Sequence, residues 1–191
     1  WKNLDADYIG LVHYRRYFTR KEVRSVEAKK EQILTGFEWE QLLSEYPVVV
    51  ADKRKYYIES NRSHYNHAHH SEGLDVAEQI IAEKYPEYSA AFTKVCNRTW
   101  AHMFNMFVMR RDLFNQYCEW MFSILEEIEH RVDISDYDTY EARIYGFVSE
   151  ILLDVWLEAN NIDYKEQNVS FMEPQNWIKK GGLFLKRKFF K

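Results

Sequence analysis

With 191 residues, 46% of them apolar and 17% aromatic, the chain is long enough for one compact domain with a real core. The net charge is −4, but residues 179–191 carry six of the 26 Lys and Arg and no acid, leaving 20 basic against 30 acidic side chains elsewhere. A body at −10 argues against general nucleic-acid binding, which needs a basic face.

The sequence opens at Trp1 without an initiator Met and reads as a piece of a longer chain whose upstream strands are missing, so a signal peptide cannot be judged. Residues 8–12, Tyr-Ile-Gly-Leu-Val, form a short apolar run expected as a buried strand. The polar cluster His13-Tyr14-Arg15-Arg16 follows at once, and a charged stretch over 19–30 is expected to be exposed and mobile. Residues 37–46 have apolar side chains at helical spacing, Pro47 ends that helix, and Val48-Val49-Val50-Ala51 reads as a second buried strand. Three helices are expected over 60–70, 74–85 and 86–96, with Pro86 opening the last. Residues 103–109 read as a third strand interrupted by Asn105. Long amphipathic helices are expected over 111–131 and 139–160, joined by a polar turn and followed by an extended segment over 162–169.

Alternating strands and helices indicate an α/β chain, economically one domain over 1–178 with a tail over 179–191. That tail mixes Lys and Arg with Leu and Phe, a composition suited to an anionic membrane surface or to a solvated terminus. No apolar run approaches the roughly 20 residues that span a bilayer. Cys96 and Cys118 lie in helical patterns and read as buried thiols of a cytoplasmic protein.

The strongest chemical feature is the strand that ends in His13-Tyr14-Arg15-Arg16. In open α/β sheets, ligands bind beyond the carboxyl ends of strands. Adjacent guanidinium groups there suit a phosphate or diphosphate, and equally suit structural ion pairs. His13 would bond the same anion or protonate it on leaving, and Gly10 permits close approach by a ligand or another backbone. Asp5-Ala6-Asp7 has the D-x-D spacing used to hold a divalent cation, but precedes the strand instead of following it. His64, His67, His69 and His70 cluster on one helix, where zinc is conceivable, although no H-E-x-x-H is present. Asn105 in an apolar strand needs partners, either structural or from a ligand. Arg143 and Glu150, seven apart, share a helix face on which Glu150 would serve as a base.

Residues 8–18 with the run His-Tyr-Arg-Arg, then Tyr65-x-x-x-His69-His70, Asp75, Tyr85-Pro86, Asn105-Met106-Phe107, Tyr117-x-x-Trp120-x-Phe122 and Arg143-x-x-Gly146-Phe147-x-x-Glu150, resemble a bacterial family of capsular and exopolysaccharide synthesis. That family is catalogued as domain of unknown function 4422 and is regarded as glycosyltransferase-like. The resemblance implies a GT-A-like, Rossmann-type α/β fold and transfer of a sugar from a nucleotide-sugar donor to a lipid-linked polysaccharide acceptor. It implies Tyr14, Arg15, Arg16 and Gly10 at the donor, with His13, Arg143 and Glu150 catalytic. Tyr65, His69, His70 and Asn105 would contact sugar hydroxyls. The resemblance also has cationic side chains replace the usual metal, so that no cofactor is required; Mg or Mn through Asp5 and Asp7 is the weaker alternative. Location at the cytoplasmic face of the inner membrane would follow. A non-catalytic carbohydrate- or nucleotide-binding module, and a metal-dependent hydrolase using the His cluster with Asp75, are the competing expectations.

Overall fold

A computed structural model describes residues 1–23 and 25–173; the tail over 179–191 and the end of the expected domain lie outside the described residues. The elements in chain order are β1 (Tyr8–Leu11), β2 (Arg16–Phe18), α1 (Val26–Glu31), α2 (Gly36–Glu45), β3 (Val48–Ala51), β4 (Arg54–Lys55), α3 (Asn61–Ala68), α4 (Glu72–Lys84), α5 (Ser89–Asn97), β5 (Trp100–Ala101), β6 (Phe107–Arg110), α6 (Arg111–Arg131), α7 (Ile144–Ala159), β7 (Lys165–Gln167) and β8 (Val169–Phe171). Short 3-10 turns at Pro86–Tyr88 and Glu141–Arg143 lead into α5 and α7.

The central sheet has the order β1-β6-β3-β7. β6 runs antiparallel to both β1 and β3, and β7 runs parallel to β3. β1, β3 and β7 therefore point the same way and end at one edge of the sheet, where β6 begins. Strand alternation divides the core. Val48, Val50, Phe107, Met109 and Ile9 face a layer built from α4, α5, α6 and α7. Ala51, Met106 and Val108 face the other way, onto Phe18, Leu34 and Trp39. β3 is buried on both faces, which is why its four residues read as an unbroken apolar run.

Helix starts follow local chemistry. Ser25 accepts a bond from the Ala28 N–H at 3.1 Å, and Thr35 with Glu38 forms a capping box. Each satisfies backbone donors that a helix start leaves open.

Several expectations need correction. The first strand is not buried: only Ile9 of β1 is inside, because in this sheet β1 lies at an edge. The stretch over 19–30 is not simply exposed. Thr19 is fully buried between Ser170 and Gln167, which anchor it through hydroxyl and amide bonds, and α1 starts at Val26. Arg16 begins a strand of its own, β2, which pairs with β8. The strand expected over 103–109 starts only at Phe107, because Phe104 and Asn105 both hold positive φ, 78° and 50°. Cys96 and Cys118 are buried free thiols, as expected. Among the described residues no helix is long and apolar enough to cross a membrane.

Leu152 is fully buried on α7 at the centre of the main core. Leu152→Ala is expected to cost about 2–5 kcal/mol and to lower the urea midpoint without changing the m-value.

Candidate active site

The shared edge of β1, β3 and β7 gathers the chemistry. β1 leads into His13, β3 into Asp52, Lys53 and Arg54, and the Phe104-Asn105 bend sits immediately before β6. α7 runs beneath this edge with Arg143 at its start and Glu150 two turns along.

Glu150 is the centre of charge. The backbone N–H of Phe104 and the charges of Arg16, Arg54 and Arg143 all favour its ionised form. Burial outweighs all four and raises its carboxyl above the usual carboxylate range. Arg16 reaches it from β2. Its guanidinium lies over Phe104 at 4.0 Å and Phe171 at 5.0 Å from the ring centres, and burial lowers its pKa. Arg16 Nε is buried with no hydrogen-bond partner.

The bend at Phe104-Asn105 is strained for residues with side chains, and such strain persists only where the surroundings over-determine it. Asn105 Nδ2 donates to Ser149 Oγ at 2.8 Å and to the Gly146 carbonyl at 3.2 Å. Its Oδ1 is buried without a partner, so an acceptor is left for a ligand hydroxyl.

His13 closes a tight turn, its carbonyl accepting the Arg16 N–H at 3.0 Å. Its Nδ1 accepts the Arg15 N–H at 3.4 Å, which places the proton of the neutral ring on Nε2. Burial, then Arg16, Arg15 and Arg143, hold its pKa below the ordinary value. His13 is therefore a neutral hydrogen-bond donor at pH 7, not an acid carrying a spare proton. Tyr14 is exposed and sandwiched between the His13 ring at 4.8 Å and the Arg15 guanidinium at 4.5 Å. Arg15 realises the structural alternative: it pairs with Glu173 at 3.0 Å. Both side chains are about half exposed, so that pair contributes little, about 0–1 kcal/mol, and an anion can replace it.

Arg143 stands over Phe147 and Tyr140. Phe147 in turn stacks on His69, with ring centres 3.8 Å apart. His69 thus joins the wall beside Arg143. The other sugar contacts expected on α3 are placed differently. Tyr65 is buried, its hydroxyl 3.1 Å from where a Cβ on Gly73 would sit, so it belongs to the core behind the wall. His70 stacks on Tyr137. Gly10 lets the neighbouring strand approach closely: a Cβ there would meet Val108 at 3.1 Å.

The four histidines do not meet at one point. His64 and His67 each turn Nδ1 to the buried Glu59, at 3.1 and 2.9 Å, while Asp75 pairs with Arg62 at 2.7 Å. Among the described residues no group of three His, Cys, Asp or Glu is arranged to hold a metal. The hydrolase expectation loses its site. Asp5 and Asp7 precede β1 at the opposite end of the sheet, where the Asp7 carbonyl accepts the Arg111 N–H, so they do not share the edge that carries His13. An open cleft of about 620 Å³ lies there, between Tyr8, Arg110 and Asn115, with the Arg110 guanidinium already paired to Asp112.

Sequence reasoning missed a second polar network. His102 is fully buried, its Nδ1 2.5 Å from Asp154 Oδ1 and its backbone N–H 2.9 Å from Oδ2. Arg98 completes the pairing of Asp154 at 2.5 Å. Burial alone would raise the Asp154 carboxyl, but His102 and Arg98 hold it below its ordinary value. Arg54 was also missed, since nothing in its sequence neighbourhood sets it apart from other surface bases. The one available signal was an ionisable Asp154 within an apolar helical run.

The fold is a mixed α/β domain with its polar cluster at one sheet edge. The chain belongs to the family described as domain of unknown function DUF4422, whose model matches residues 1–161. Among solved structures it is similar to the apo structure of WbbM, a bifunctional glycosyltransferase, with a TM-score of 0.82 and 27% identity. The match covers 91% of this chain and 35% of that one, so the chain spans about a third of the length of its structural relative. No curated protein matches. The GT-A-like fold expected from the sequence is the fold observed, with a mixed sheet.

The buried carboxylate has a stability consequence. Glu150 has a higher pKa folded than unfolded, so its ionisation opposes folding. The cost is absent below the unfolded value of about 4.3, grows as pH rises through the folded pKa, and is complete above it. Glu150→Gln, which keeps the side chain's shape and removes its charge, is expected to melt at or above the parent Tm at pH 7. The gap should close near pH 4, as thermal melts at both pH values will show.

Proposed function

We propose that the chain is a glycosyltransferase domain that moves a sugar from a nucleotide-sugar donor to a growing capsular or exopolysaccharide acceptor carried on lipid. The observation that carries this reading is the setting of Glu150. A half-buried carboxylate of raised pKa lies within the field of Arg16, Arg54 and Arg143, at the strand edge of a fold like that of a known glycosyltransferase.

In an inverting reaction the Glu150 carboxylate takes the proton of the acceptor hydroxyl. The oxygen attacks the anomeric carbon, the carbon–oxygen bond to the diphosphate breaks, and its electron pair passes to the diphosphate oxygen. Arg16 meets that charge from a fixed position, because the Phe104 and Phe171 rings hold its guanidinium. Arg15 exchanges Glu173 for the diphosphate, and His13 donates Nε2–H to it. Asn105 Oδ1 accepts a sugar hydroxyl, and Phe147 backed by His69 lines the acceptor side. Guanidinium groups supply the neutralisation that a divalent cation gives in other transferases, with Mg or Mn as the alternative that a chelator tests. A lipid-carried acceptor would put the domain at the cytoplasmic face of the inner membrane, and the basic composition of residues 179–191 supports a peripheral contact there.

Arg16→Met keeps an apolar stem between the rings and removes the charge. It is expected to weaken nucleoside-diphosphate binding at least about tenfold by calorimetry, equivalent to about 1.4 kcal/mol. Glu150→Gln is expected to leave that binding intact and to lower turnover by about 10²–10⁴. A binding module would show no turnover for Glu150→Gln to remove. Turnover in excess chelator is expected to stay within about twofold of the untreated rate; abolition by chelator would assign the charge neutralisation to a metal.

A further inference from the structure

Residues 53–68 carry four Lys and Arg and one acid, Glu59, in a chain whose net charge is −4. Within that stretch Arg54, Lys55, Tyr57 and Ile58 are all exposed, Tyr57 at 81% and Ile58 at 62%. Single apolar residues on a surface need no explanation, but two large ones side by side behind two bases do. The backbone that presents them is a rare one. The Ile58 N–H donates to the Tyr56 carbonyl at 2.6 Å, and Tyr57 between them holds φ 60°. This is the γ-turn with a left-handed central residue, which is strained for a residue with a side chain. Glycine, asparagine or aspartate would hold it with less strain. Tyrosine adds its ring, and that ring is left in water.

The fold grips the turn from both sides and leaves the tip bare. Tyr56 is buried: its N–H donates to the Thr99 carbonyl at 2.8 Å and its ring stacks on His64 at 4.1 Å. Glu59 is buried and turns inward, to His64 Nδ1 at 3.1 Å and His67 Nδ1 at 2.9 Å, so the one acid of the stretch faces α3 and not solvent. Asn61, which opens α3, donates through Nδ2 to the Val95 and Trp100 carbonyls at 2.8 Å each. Lys53 is engaged with Glu166 at 2.6 Å, whereas among the described residues Arg54 and Lys55 make no ion pair. The stretch leaves the sheet past β3, at the edge that carries His13.

We propose that the turn over 54–58 is a membrane-contact element: Tyr57 and Ile58 enter the interface of an anionic lipid surface while Arg54 and Lys55 lie among its headgroups. The chemistry of the four side chains selects this occupant. An aliphatic side chain gains from hydrocarbon, and a tyrosine ring with its polar hydroxyl suits headgroup depth. Neighbouring bases meet anionic headgroups. A sugar would leave Ile58 in water, and a nucleic acid would meet an acidic body. Charge draws the surface in and the apolar pair holds it, the two signals that peripheral anchoring needs. The contact with lipid stands apart from the transferase reading; its use, bringing the sheet edge to a lipid-carried acceptor, rests on that reading.

The test is sedimentation of the full chain with vesicles of phosphatidylcholine, alone or with about 30% phosphatidylglycerol. The parent is expected to bind the anionic vesicles at least about tenfold more tightly than the neutral ones, with the preference falling as salt rises. Tyr57→Gly combined with Ile58→Ser removes both apolar side chains and relieves the left-handed strain. It is expected to keep the parent Tm and to bind anionic vesicles about tenfold more weakly. Lys55→Glu is expected to weaken binding at least about threefold at low ionic strength. An environment-sensitive fluorophore on Ile58→Cys is expected to shift to the blue on anionic vesicles, with the buried Cys96 and Cys118 shielded from the label. A parent that binds neither vesicle or both equally, a double variant or Lys55→Glu protein that binds as the parent does, or an unshifted fluorophore overturns the proposal. Residues 179–191 are present in every variant, so a contact made by them alone leaves the double variant bound and counts against the turn. Glu150→Gln is expected to bind vesicles as the parent does, so a failure of the base assignment and a failure of the membrane turn are read separately.

Discussion

Glu150 sits beside the Phe104-Asn105 bend at the sheet edge, where burial raises its carboxyl while the Phe104 N–H and three guanidinium groups oppose that shift. At this bend Phe104 and Asn105 both adopt left-handed dihedrals, at φ 78° and 50°. Each such residue costs about 1–3 kcal/mol unless its surroundings compensate. The compensation is visible: His102 and Asp154 on one side, Asn105, Ser149 and Gly146 on the other, and the Arg16 guanidinium laid over the Phe104 ring. The bend is thus both a strained point of the backbone and the piece that brings β2, β6 and α7 to a common centre.

Electrostatics at that centre is arranged for anions. Three guanidinium groups act on Glu150, and three act on His13, with Arg16 and Arg143 common to both. The result is a base that takes up a proton more readily than an ordinary glutamate, and an imidazole that stays neutral. Opposite shifts in neighbouring groups of this kind mark sites where proton transfer and charge stabilisation are divided between residues. The fold makes the division possible, because His13 and Arg16 come from the strand side and Arg143 and Glu150 from one helix.

Much of this was legible in the sequence, for reasons that differ by element. β3 declared itself because burial on both faces demands four consecutive apolar residues. α6 showed its bounds through an apolar stripe of helical period. Arg143 and Glu150 were paired correctly by helical spacing alone, although Arg143 sits in the 3-10 turn that precedes α7. His13, Arg15 and Arg16 were recognised as a group from their place after a strand. What stayed hidden depends on long-range contact. β2 pairs with β8 across some 150 positions, and no local period announces a three-residue strand. Asn105 was read as a strand interruption, while its left-handed backbone follows from anchors on a helix 41 and 44 residues away. The four histidines were crowded in sequence, but His64 and His67 on α3 turn to Glu59, while His69 and His70, beyond the helix end, stack on Phe147 and Tyr137. Crowding in sequence is not convergence in space when a helix ends within the crowded stretch.

The most direct measurement is a crystal structure of the full-length chain with a nucleoside diphosphate. The account predicts the diphosphate within hydrogen-bond reach of the Arg16 guanidinium and His13 Nε2, with Arg15 turned from Glu173 toward it. A diphosphate seated instead in the cleft at Arg110 and Asn115, at the other end of the sheet, would contradict it.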